Sequence, residues 1–189
     1  IGLITIYAML SGRFSRVIAI EPDPWNRAIL EQNLKLNDLC DRVTVIASAA
    51  SDHAGTMNLH RDAKNLGAHS LEQGFSMSPV DTAQPVPVER LDAILLAQDI
   101  PATSIGFVKI DVEGHEFAAL RGLSGIIEAK PPIMVEVTFD ATEGGAEMDQ
   151  FRRLIPNYTR IVDIEESSAT TLELETFRPS AGQHELLVF

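Results

Sequence analysis

Short β-branched apolar runs alternate along the chain with longer amphipathic stretches. Runs of strand length occupy residues 16–20, 42–47, 105–110 and 132–137. Apolar residues at helical spacing, helped by capping residues, predict helices over residues 2–10, 25–36, 90–97, 113–127 and 146–154. This alternation is typical of βα units on a parallel sheet. We therefore predict an α/β fold with a doubly wound, mostly parallel, Rossmann-like sheet.

The alternation of predicted helices and strands stops between about residues 48 and 88. A short strand is predicted at 56–60, and residues 65–82 are rich in Gly, Ser, Asn and Asp, which indicates a loop. A loop of this length in a compact domain is usually functional or disordered, and this one could cover a substrate. Prolines in the strand at 86–89 predict an edge position. Near the C-terminus, residues 158–164 and 184–189 can pair as an antiparallel edge, and residues 165–182 connect them.

Length and charge narrow the possible functions. A chain of 189 residues fits one domain, so we expect a single domain over residues 1–189.

The net charge of −12 argues against a nucleic-acid partner, because binding to nucleic acid needs clustered Lys and Arg. No apolar run reaches the roughly 18 residues of a membrane span. Cys40 is the single cysteine, which excludes an intramolecular disulfide and suits a cytoplasmic protein. The sequence does not indicate an oligomeric state.

Glu21 follows a predicted buried strand and precedes a predicted helix. Asp23 is a favourable N-cap for that helix, and Pro24 is a favourable first helical residue. In open parallel sheets, ligands bind at the carboxyl ends of the strands, where an acid commonly holds a nucleotide ribose. A carboxylate can accept hydrogen bonds from both ribose hydroxyls. The alternative is a solvated acid in a turn, and Glu21 alone does not decide between them.

The densest polar cluster in the chain, KIDVEGHE at residues 109–116, lies where the predicted strand at 105–110 ends. In one interpretation Asp111 or Glu113 only caps the following helix. In a second, the carboxylates and the histidine bind a metal, although no recognised ligand spacing such as HExxH is present. In the third, Asp111, Glu113 or His115 is a general base, and histidine starts closest to neutrality. The position at the carboxyl end of a strand favours catalysis, so we predict these three residues as catalytic and no metal.

Glu136 is an acid near the end of the next predicted strand. If that strand lies next to the strand that ends at the cluster, Glu136 faces the same ligand-binding crevice as residues 109–116. Acids are rarely left in buried strands without a partner, so Glu136 should have one. A structural ion pair is the alternative. The sequence has no GxSxG elbow, no GxxxxGK[ST] phosphate loop and no pair of cysteines, which excludes the corresponding hydrolases, NTPases and zinc fingers.

The order and spacing of several segments resemble the FkbM-type methyltransferases over nearly the whole chain. These segments are VIAIEPDP (17–24), NLKLN (33–37), RLD (90–92), KIDVEGHE (109–116) and LRG (120–122). The resemblance implies a class I methyltransferase sheet, S-adenosylmethionine (SAM) as cofactor and O-methylation of a small hydroxylated acceptor such as a sugar or natural product. It also implies that Glu21 binds the SAM ribose, that residues 111–115 line the methyl-transfer site, and that residues around 48–52 approach the adenine. The cofactor-binding residues expected on this basis are Gly2, Thr5, Glu21, Pro22, Ser48, Asp52 and Asp111.

One departure from the family pattern is at the front of the chain. Family members carry a DxGANxG turn after their first strand, whereas this sequence starts at Ile1 and offers only Gly2 and Thr5 there. We expect a fragment that lacks the first strand and this turn, and that binds SAM poorly. Two rival functions are a non-catalytic binding module on the same fold and a nicotinamide-dependent oxidoreductase. An oxidoreductase function would give the polar cluster at residues 111–116 no role.

Overall fold

The computed structural model describes residues 1–75, 78–80, 83–140, 144–165 and 170–189. Within these ranges the chain forms two compact units, Ile1–Glu89 and Arg90–Phe189. No helix in the described ranges is long and apolar enough to cross a membrane. The single domain expected from the sequence stays a prediction.

The first unit begins with two parallel strands and two helices. These elements are α1 (Leu3–Leu10), β1 (Val17–Ile20), α2 (Pro24–Leu36) and β2 (Val43–Ile46). β1 and β2 pair in parallel, with Val17 opposite Val43 and Ile20 opposite Ile46. Their apolar side chains form one buried core with those of the helices: Met9, Ala19, Leu30, Leu34, Leu39 and Val43. The helix and strand predictions for this part of the sequence are confirmed to within a residue or two.

The second sheet of this unit has three strands, β3 (Ala49–Ala50), β4 (Gly55–Leu59) and β5 (Gln84–Glu89), in the order β3-β5-β4. The predicted edge position of β5 is therefore wrong. The Pro87 carbonyl accepts a hydrogen bond from Ser48 Oγ at 3.1 Å, so it faces the side on which β3 lies. The missing N–H of Pro87 faces the same side, and β3 pairs only with Val88 and Glu89 beyond it. A central strand tolerates proline here because its neighbour is so short.

Residues 65–75 and 78–80 form no helix or extended strand, as predicted for this loop. Isolated antiparallel bridges join His60 to Ser70 and Asp62 to Pro79. Residues 76, 77, 81 and 82 of the predicted loop lie outside the described residues.

The second unit is built on a five-stranded mixed sheet. Its strands are β6 (Val108–Ile110), β7 (Ile133–Phe139), β8 (Arg160–Asp163), β9 (Leu172–Glu173) and β10 (Gly182–Val188), in the order β6-β7-β10-β8-β9. β6 and β7 are parallel, and the other pairs are antiparallel. The predicted antiparallel pairing of the two C-terminal strands is confirmed. Along β7, buried residues alternate with Met134, Glu136 and Thr138, which face the other side.

Four helices accompany this sheet in the described residues: α3 (Leu91–Ala97), α4 (Glu116–Arg121), α5 (Ser124–Ala129) and α6 (Gly144–Leu154). The single helix predicted over 113–127 is wrong, because α4 ends at Arg121 and α5 begins at Ser124. The Asp92 carboxylate accepts hydrogen bonds from Gly125 N at 3.1 Å and Ser124 Oγ at 3.0 Å. The Asp92 carboxylate thereby accepts a backbone N–H of the first turn of α5 that has no acceptor within the helix, so a second helix can begin there. The strand predicted at 105–110 is confirmed only from Val108 onward.

The α/β class is thus confirmed, with several sheets rather than one in the described residues. The doubly wound, Rossmann-like arrangement stays a prediction.

Candidate functional site

Glu21 lies immediately after β1 and before α2, as the sequence predicts. Its backbone N–H donates to the carbonyl of Ile46 at 3.1 Å, which extends the parallel pairing by one residue. Its Oε1 accepts the backbone N–H of Asp23 at 2.9 Å. Burial raises the pKa of Glu21, although the Asp23 N–H opposes that shift. The carboxylate is therefore held at one oxygen, and the other has no hydrogen-bond partner in the described part of the chain.

Asp23 begins α2 from a buried position. Its Oδ1 accepts the N–H groups of Trp25 and Asn26 at 2.8 and 3.0 Å. Its Oδ2 receives both Nε and Nη2 of Arg61, each at 2.6 Å. Burial raises the pKa of Asp23, but the hydrogen bonds from Asn26 and Arg61 outweigh it, so the net shift is downward. Asp23 therefore stays ionised although it is almost inaccessible to water.

The remaining residues predicted to bind a cofactor in this unit are engaged locally. Gly2 has a φ of 81° and its carbonyl accepts the N–H of Ile6 at 3.0 Å at the start of α1. Thr5 lies within that helix, and Pro22 is half-buried beside Glu21. Ser48 is buried with its hydroxyl on the Pro87 carbonyl, and Asp52 contacts the His53 ring at 2.8 Å.

Three carboxylates converge in the second unit, at the carboxyl end of β6. Asp111 and Glu113 follow this strand, and Glu136 lies on the adjacent parallel strand β7. One oxygen from each lies within 4.8 Å of the other two. The sequence prediction that Glu136 joins the cluster, if its strand is a neighbour, is thereby confirmed.

Lys109 and Gln183 partner this acidic cluster. Lys109 Nζ lies 3.4 Å from Asp111 Oδ2 and 2.5 Å from Glu185 Oε1. Glu185 is directly opposite Glu136 in the β7–β10 pairing, where like charges repel each other. The Gln183 amide donates to Glu136. Burial lowers the pKa of Lys109, but the carboxylates of Glu185 and Asp111 outweigh it and the net shift is upward, so the ammonium is retained.

Glu113 has the most perturbed carboxylate of this cluster. Burial, then the charges of Asp111, Glu136 and Glu116, raise its pKa from 4.5 to about 7, against a smaller opposing effect of Lys109. Burial and Asp111 also raise the pKa of Glu136, whereas the Gln183 amide lowers it. Glu113 has a φ of 51° and the next residue, Gly114, a φ of 97°. A left-handed conformation is uncommon for a residue with a side chain, and such positions concentrate at functional sites.

His115 and Glu116 are oriented differently from the three converging carboxylates. His115 is 7% exposed and immediately precedes α4. Glu116 is 6% exposed, and its Oε1 accepts the Gly114 N–H at 2.9 Å. That hydrogen bond holds the turn that carries Glu113. Glu116 thus supports the turn and His115 is buried beside it in the sequence, whereas Asp111 is exposed and Glu113 is partly exposed.

This arrangement can support two kinds of chemistry. A carboxylate with a pKa near neutrality can accept a proton, as a general base does. Three carboxylates at this separation could also hold a hard divalent cation through oxygen ligands. In the first unit, the second oxygen of Glu21 suits a ligand that donates hydroxyl protons, such as a ribose.

Sequence reasoning missed several partners of these groups. Arg61, Gln183 and Glu185 were not singled out, because their contacts join segments far apart in the sequence. Glu185 could have been found by the criterion applied to Glu136, since it is also an acid within a largely apolar strand. No local pattern indicates Arg61.

Comparison with known proteins agrees with the resemblance seen in the sequence. The sequence profile of the methyltransferase FkbM domain matches residues 4–162. The crystal structure of methyltransferase FkbM from Methylobacillus flagellatus KT superposes with a TM-score of 0.58 and 20% sequence identity. The alignment covers all of this chain and 40% of that one, and at this identity it supports the fold alone. No curated protein sequence matches the chain.

Both α/β units carry acids at the carboxyl ends of parallel strands, the position at which open α/β sheets bind ligands. With a profile match over residues 4–162, the chain belongs to the FkbM methyltransferase family.

Proposed function

We propose that the protein is a SAM-dependent O-methyltransferase that acts on a small hydroxylated acceptor. Membership of the FkbM methyltransferase family supports the reaction class. The observation that carries the mechanism is Glu113, whose pKa is raised to about 7 within a cluster of carboxylates. An acid with this pKa is substantially ionised at neutral pH and can still bind a proton strongly enough to serve as a base.

Glu21 fits the ribose of the cofactor. Its Oε1 is fixed by the Asp23 N–H at 2.9 Å, so the carboxylate is oriented before any ligand arrives. The other oxygen is left to accept a ribose hydroxyl, and Oε1 can accept a second hydrogen bond. Gly2, Thr5, Pro22, Ser48, Asp52 and Asp111 stay predicted cofactor-binding residues.

Glu113 is the base in this proposal, and Asp111 and Glu136 tune it. When bound, SAM supplies an electrophilic methyl group on a sulfonium. Glu113 would accept the proton of the acceptor hydroxyl as the hydroxyl oxygen receives that methyl group and S-adenosylhomocysteine is left as the other product. The neighbouring carboxylates make the protonated form of Glu113 more favourable, which strengthens it as a base. His115 is buried, so we assign it to holding the Glu113 turn rather than to proton transfer.

The same carboxylates raise the question of a cation. Lys109 already places a positive charge beside Asp111, and we propose that proton transfer needs no metal. Turnover should therefore be unchanged after dialysis against EDTA. Loss of turnover with EDTA, and recovery with Mg²⁺, would assign Asp111, Glu113 and Glu136 to a metal instead.

Calorimetry with S-adenosylhomocysteine, followed by turnover with methyl-labelled SAM and a panel of sugars and phenols, tests the function. The full protein should bind S-adenosylhomocysteine, and Glu21→Gln should bind it roughly tenfold more weakly, because a charge-assisted hydrogen bond is lost. Glu128→Gln, at an exposed glutamate of α5, is a matched control with the same change of charge and should leave binding unchanged. Binding without turnover on any acceptor would favour a binding module. Binding of a nicotinamide nucleotide in place of S-adenosylhomocysteine would favour an oxidoreductase.

A further inference from the structure

A segment of the first unit folds back on the N-terminus of α2. We call this segment the strap, residues 61–75 and 78–80. The Val80 N–H donates to the Arg61 carbonyl at 2.9 Å, which brings the two ends of the strap together. Asp62 is buried, and its carboxylate accepts the N–H groups of Lys64, Asn65 and Ser78, at 2.8, 2.8 and 2.9 Å. The strap is therefore an ordered structure built around one carboxylate.

Two contacts fix the strap to α2. The Asn26 side-chain amide donates to the Leu66 carbonyl at 2.8 Å, and Asn26 is 3% exposed. At the base of the strap, Arg61 Nε donates a hydrogen bond to Asp23 Oδ2 at 2.6 Å, and Nη2 of the same guanidinium lies 2.6 Å from that oxygen in an ion pair. Asp23 is 1% exposed, so this ion pair is shielded from solvent on the aspartate side.

The contacts of Arg61 continue to Glu21. The carboxylate that Arg61 holds is the one that caps α2, through the N–H groups of Trp25 and Asn26. The same residue, Asp23, donates its own N–H to Glu21 Oε1 at 2.9 Å. Asp23 is therefore held by its side chain and orients Glu21 by its backbone. A displacement of the Asp23 backbone, which its side-chain contacts hold in place, would turn that N–H away from Glu21.

We infer that Arg61 is a positioning residue for the cofactor site, which acts through Asp23 to orient the Glu21 carboxylate toward a ribose. This inference rests on the proposed function, because it takes Glu21 as the ribose-binding acid. It adds that the strap and the cofactor site are coupled, since Arg61 belongs to the first and controls the geometry of the second. The alternative is that Arg61 only neutralises a buried aspartate and has no separate effect on binding.

A double-mutant cycle on binding of S-adenosylhomocysteine separates the two roles. Arg61→Gln alone should weaken binding roughly tenfold, because Glu21 loses its orientation. In a Glu21→Gln background the same substitution should change affinity by about twofold or less, since residues that act as one unit are non-additive. Arg42→Gln removes an arginine with the same charge change, and should leave affinity and coupling unchanged. Thermal unfolding of each variant checks that the fold is retained.

Arg61→Lys provides a second variant should the glutamine variant not fold. Lysine keeps the positive charge but cannot contact Asp23 Oδ2 through two nitrogens, as arginine does. The loss of affinity should therefore be smaller than for Arg61→Gln, and it should also vanish in the Glu21→Gln background. Equal losses with and without Glu21, or no loss in either Arg61 variant, would overturn the inference. Failure of the wild-type protein to bind S-adenosylhomocysteine would overturn the proposed function itself, and this inference with it. An effect of Arg61 without any effect of Glu21→Gln would show that another group holds the ribose.

Discussion

Glu113 combines two features that are uncommon on their own. It holds a left-handed backbone conformation with a φ of 51°, and its pKa is raised to about 7. The conformation costs of order 1–2 kcal/mol for a residue with a Cβ. The preceding strand ends at Ile110, so the turn at Glu113 and Gly114 directs the Glu113 side chain to Asp111 and Glu136 rather than into a continuing helix. The unusual backbone thus brings Glu113 to the two carboxylates that follow the paired residues of β6 and β7.

The pH dependence of turnover tests the role of Glu113. Because the base must be ionised, kcat/KM should fall about tenfold per pH unit below pH 7. Glu113→Gln should lower kcat by roughly 100-fold and remove this acid limb. Glu128→Gln, an exposed acid on α5, is the matched control and should keep the wild-type profile. An unchanged acid limb in Glu113→Gln would show that another group is the base.

The same pKa shift predicts how Glu113 affects stability. Folding raises the pKa from 4.5 to about 7, so the folded state favours the protonated carboxyl. The stabilisation is complete below pH 4.5 and is lost as the pH rises through 7. Glu113→Gln cannot ionise, and should raise the free energy of unfolding at pH 8 by about 1 kcal/mol, a figure reduced for solvent screening. Urea unfolding of both proteins at pH 4.5 and pH 8 measures this difference in free energy of unfolding. If Glu113→Gln were more stable than the wild type only at pH 4.5, the predicted direction of the pH effect would be wrong.

At the residue scale, the sequence predicted those site groups that local position determines. Glu21, Asp111 and Glu113 follow strands, and their order along the chain is enough to place them at strand ends. Whether a carboxylate is paired depends on residues elsewhere in the sequence. For this reason the Arg61–Asp23 and Lys109–Glu185 pairs could not be predicted, and His115 could not be recognised as buried.

At the scale of single elements, α1 depends on the glycine that begins it. Gly2 has a φ of 81°, and an added Cβ would lie 2.5 Å from Leu30 Cδ1. Gly2→Ala should therefore destabilise the protein by about 1–2 kcal/mol through backbone strain, and further through displacement of Leu30. Gly12→Ala is matched in the sign of φ but has open space around its Cβ, so it isolates the strain. Equal melting temperatures for the two variants would argue against the Leu30 contact.

β8 and β10 are joined by a buried side-chain hydrogen bond as well as by their backbone pairing. His184 Nδ1 lies 2.5 Å from Asp163 Oδ2, and Nε2 lies 3.1 Å from the Ser180 carbonyl. Both side chains are buried, and the His184 ring packs edge-on against Phe139. Asp163→Ala should destabilise the protein by about 3 kcal/mol, because the buried histidine loses its acceptor.

The control for this prediction is Asp149→Ala, which removes an exposed partner of Arg152. Its effect on urea unfolding should be about 0.5 kcal/mol or less, as for other surface ion pairs. Asp163→Asn keeps an acceptor oxygen, so its loss of unfolding free energy should lie between those of Asp163→Ala and Asp149→Ala. If Asp163→Ala lost no more unfolding free energy than Asp149→Ala, the buried Asp163–His184 contact would contribute little to stability.

Most helices and strands could be predicted from periodicity and caps. α2 is the clearest example, since Asp23 and Pro24 are local signals that the structure uses directly. The helix predicted at 113–127 failed because a capping carboxylate from α3, Asp92, starts a new helix after Gly122. The position of β5 failed for a related reason. The effect of a proline depends on the length of the neighbouring strand, and sequence alone does not supply that length.

At the scale of the whole molecule, the charge balance is the main property. The chain has 27 acidic and 15 basic residues, and so a net charge of −12. Self-repulsion at low salt opposes the compact state and is screened as ionic strength rises. The melting temperature should therefore increase between 10 and 150 mM NaCl, which differential scanning calorimetry can follow. A decrease would mean that attractive ion pairs dominate instead.

The α/β class could be predicted for the whole molecule, because alternation of strands and helices is visible in the sequence. The division of the described strands among three sheets could not, since it depends on pairings such as β3 with β5 and β7 with β10. The doubly wound sheet, predicted from the same alternation, stays a prediction. The antiparallel C-terminal pair was accessible because both of its strands can be recognised in the sequence.

The contact that caps α2 also has a practical consequence. The only tryptophan of the chain, Trp25, lies four residues after Glu21 and donates its N–H to Asp23 Oδ1 at 2.8 Å. Its side chain is 66% exposed, so its indole emission is sensitive to local polarity and quenching. The sequence thus carries a built-in fluorophore next to the proposed ribose site. Occupancy can be titrated by intrinsic fluorescence, without a label and before any acceptor is identified.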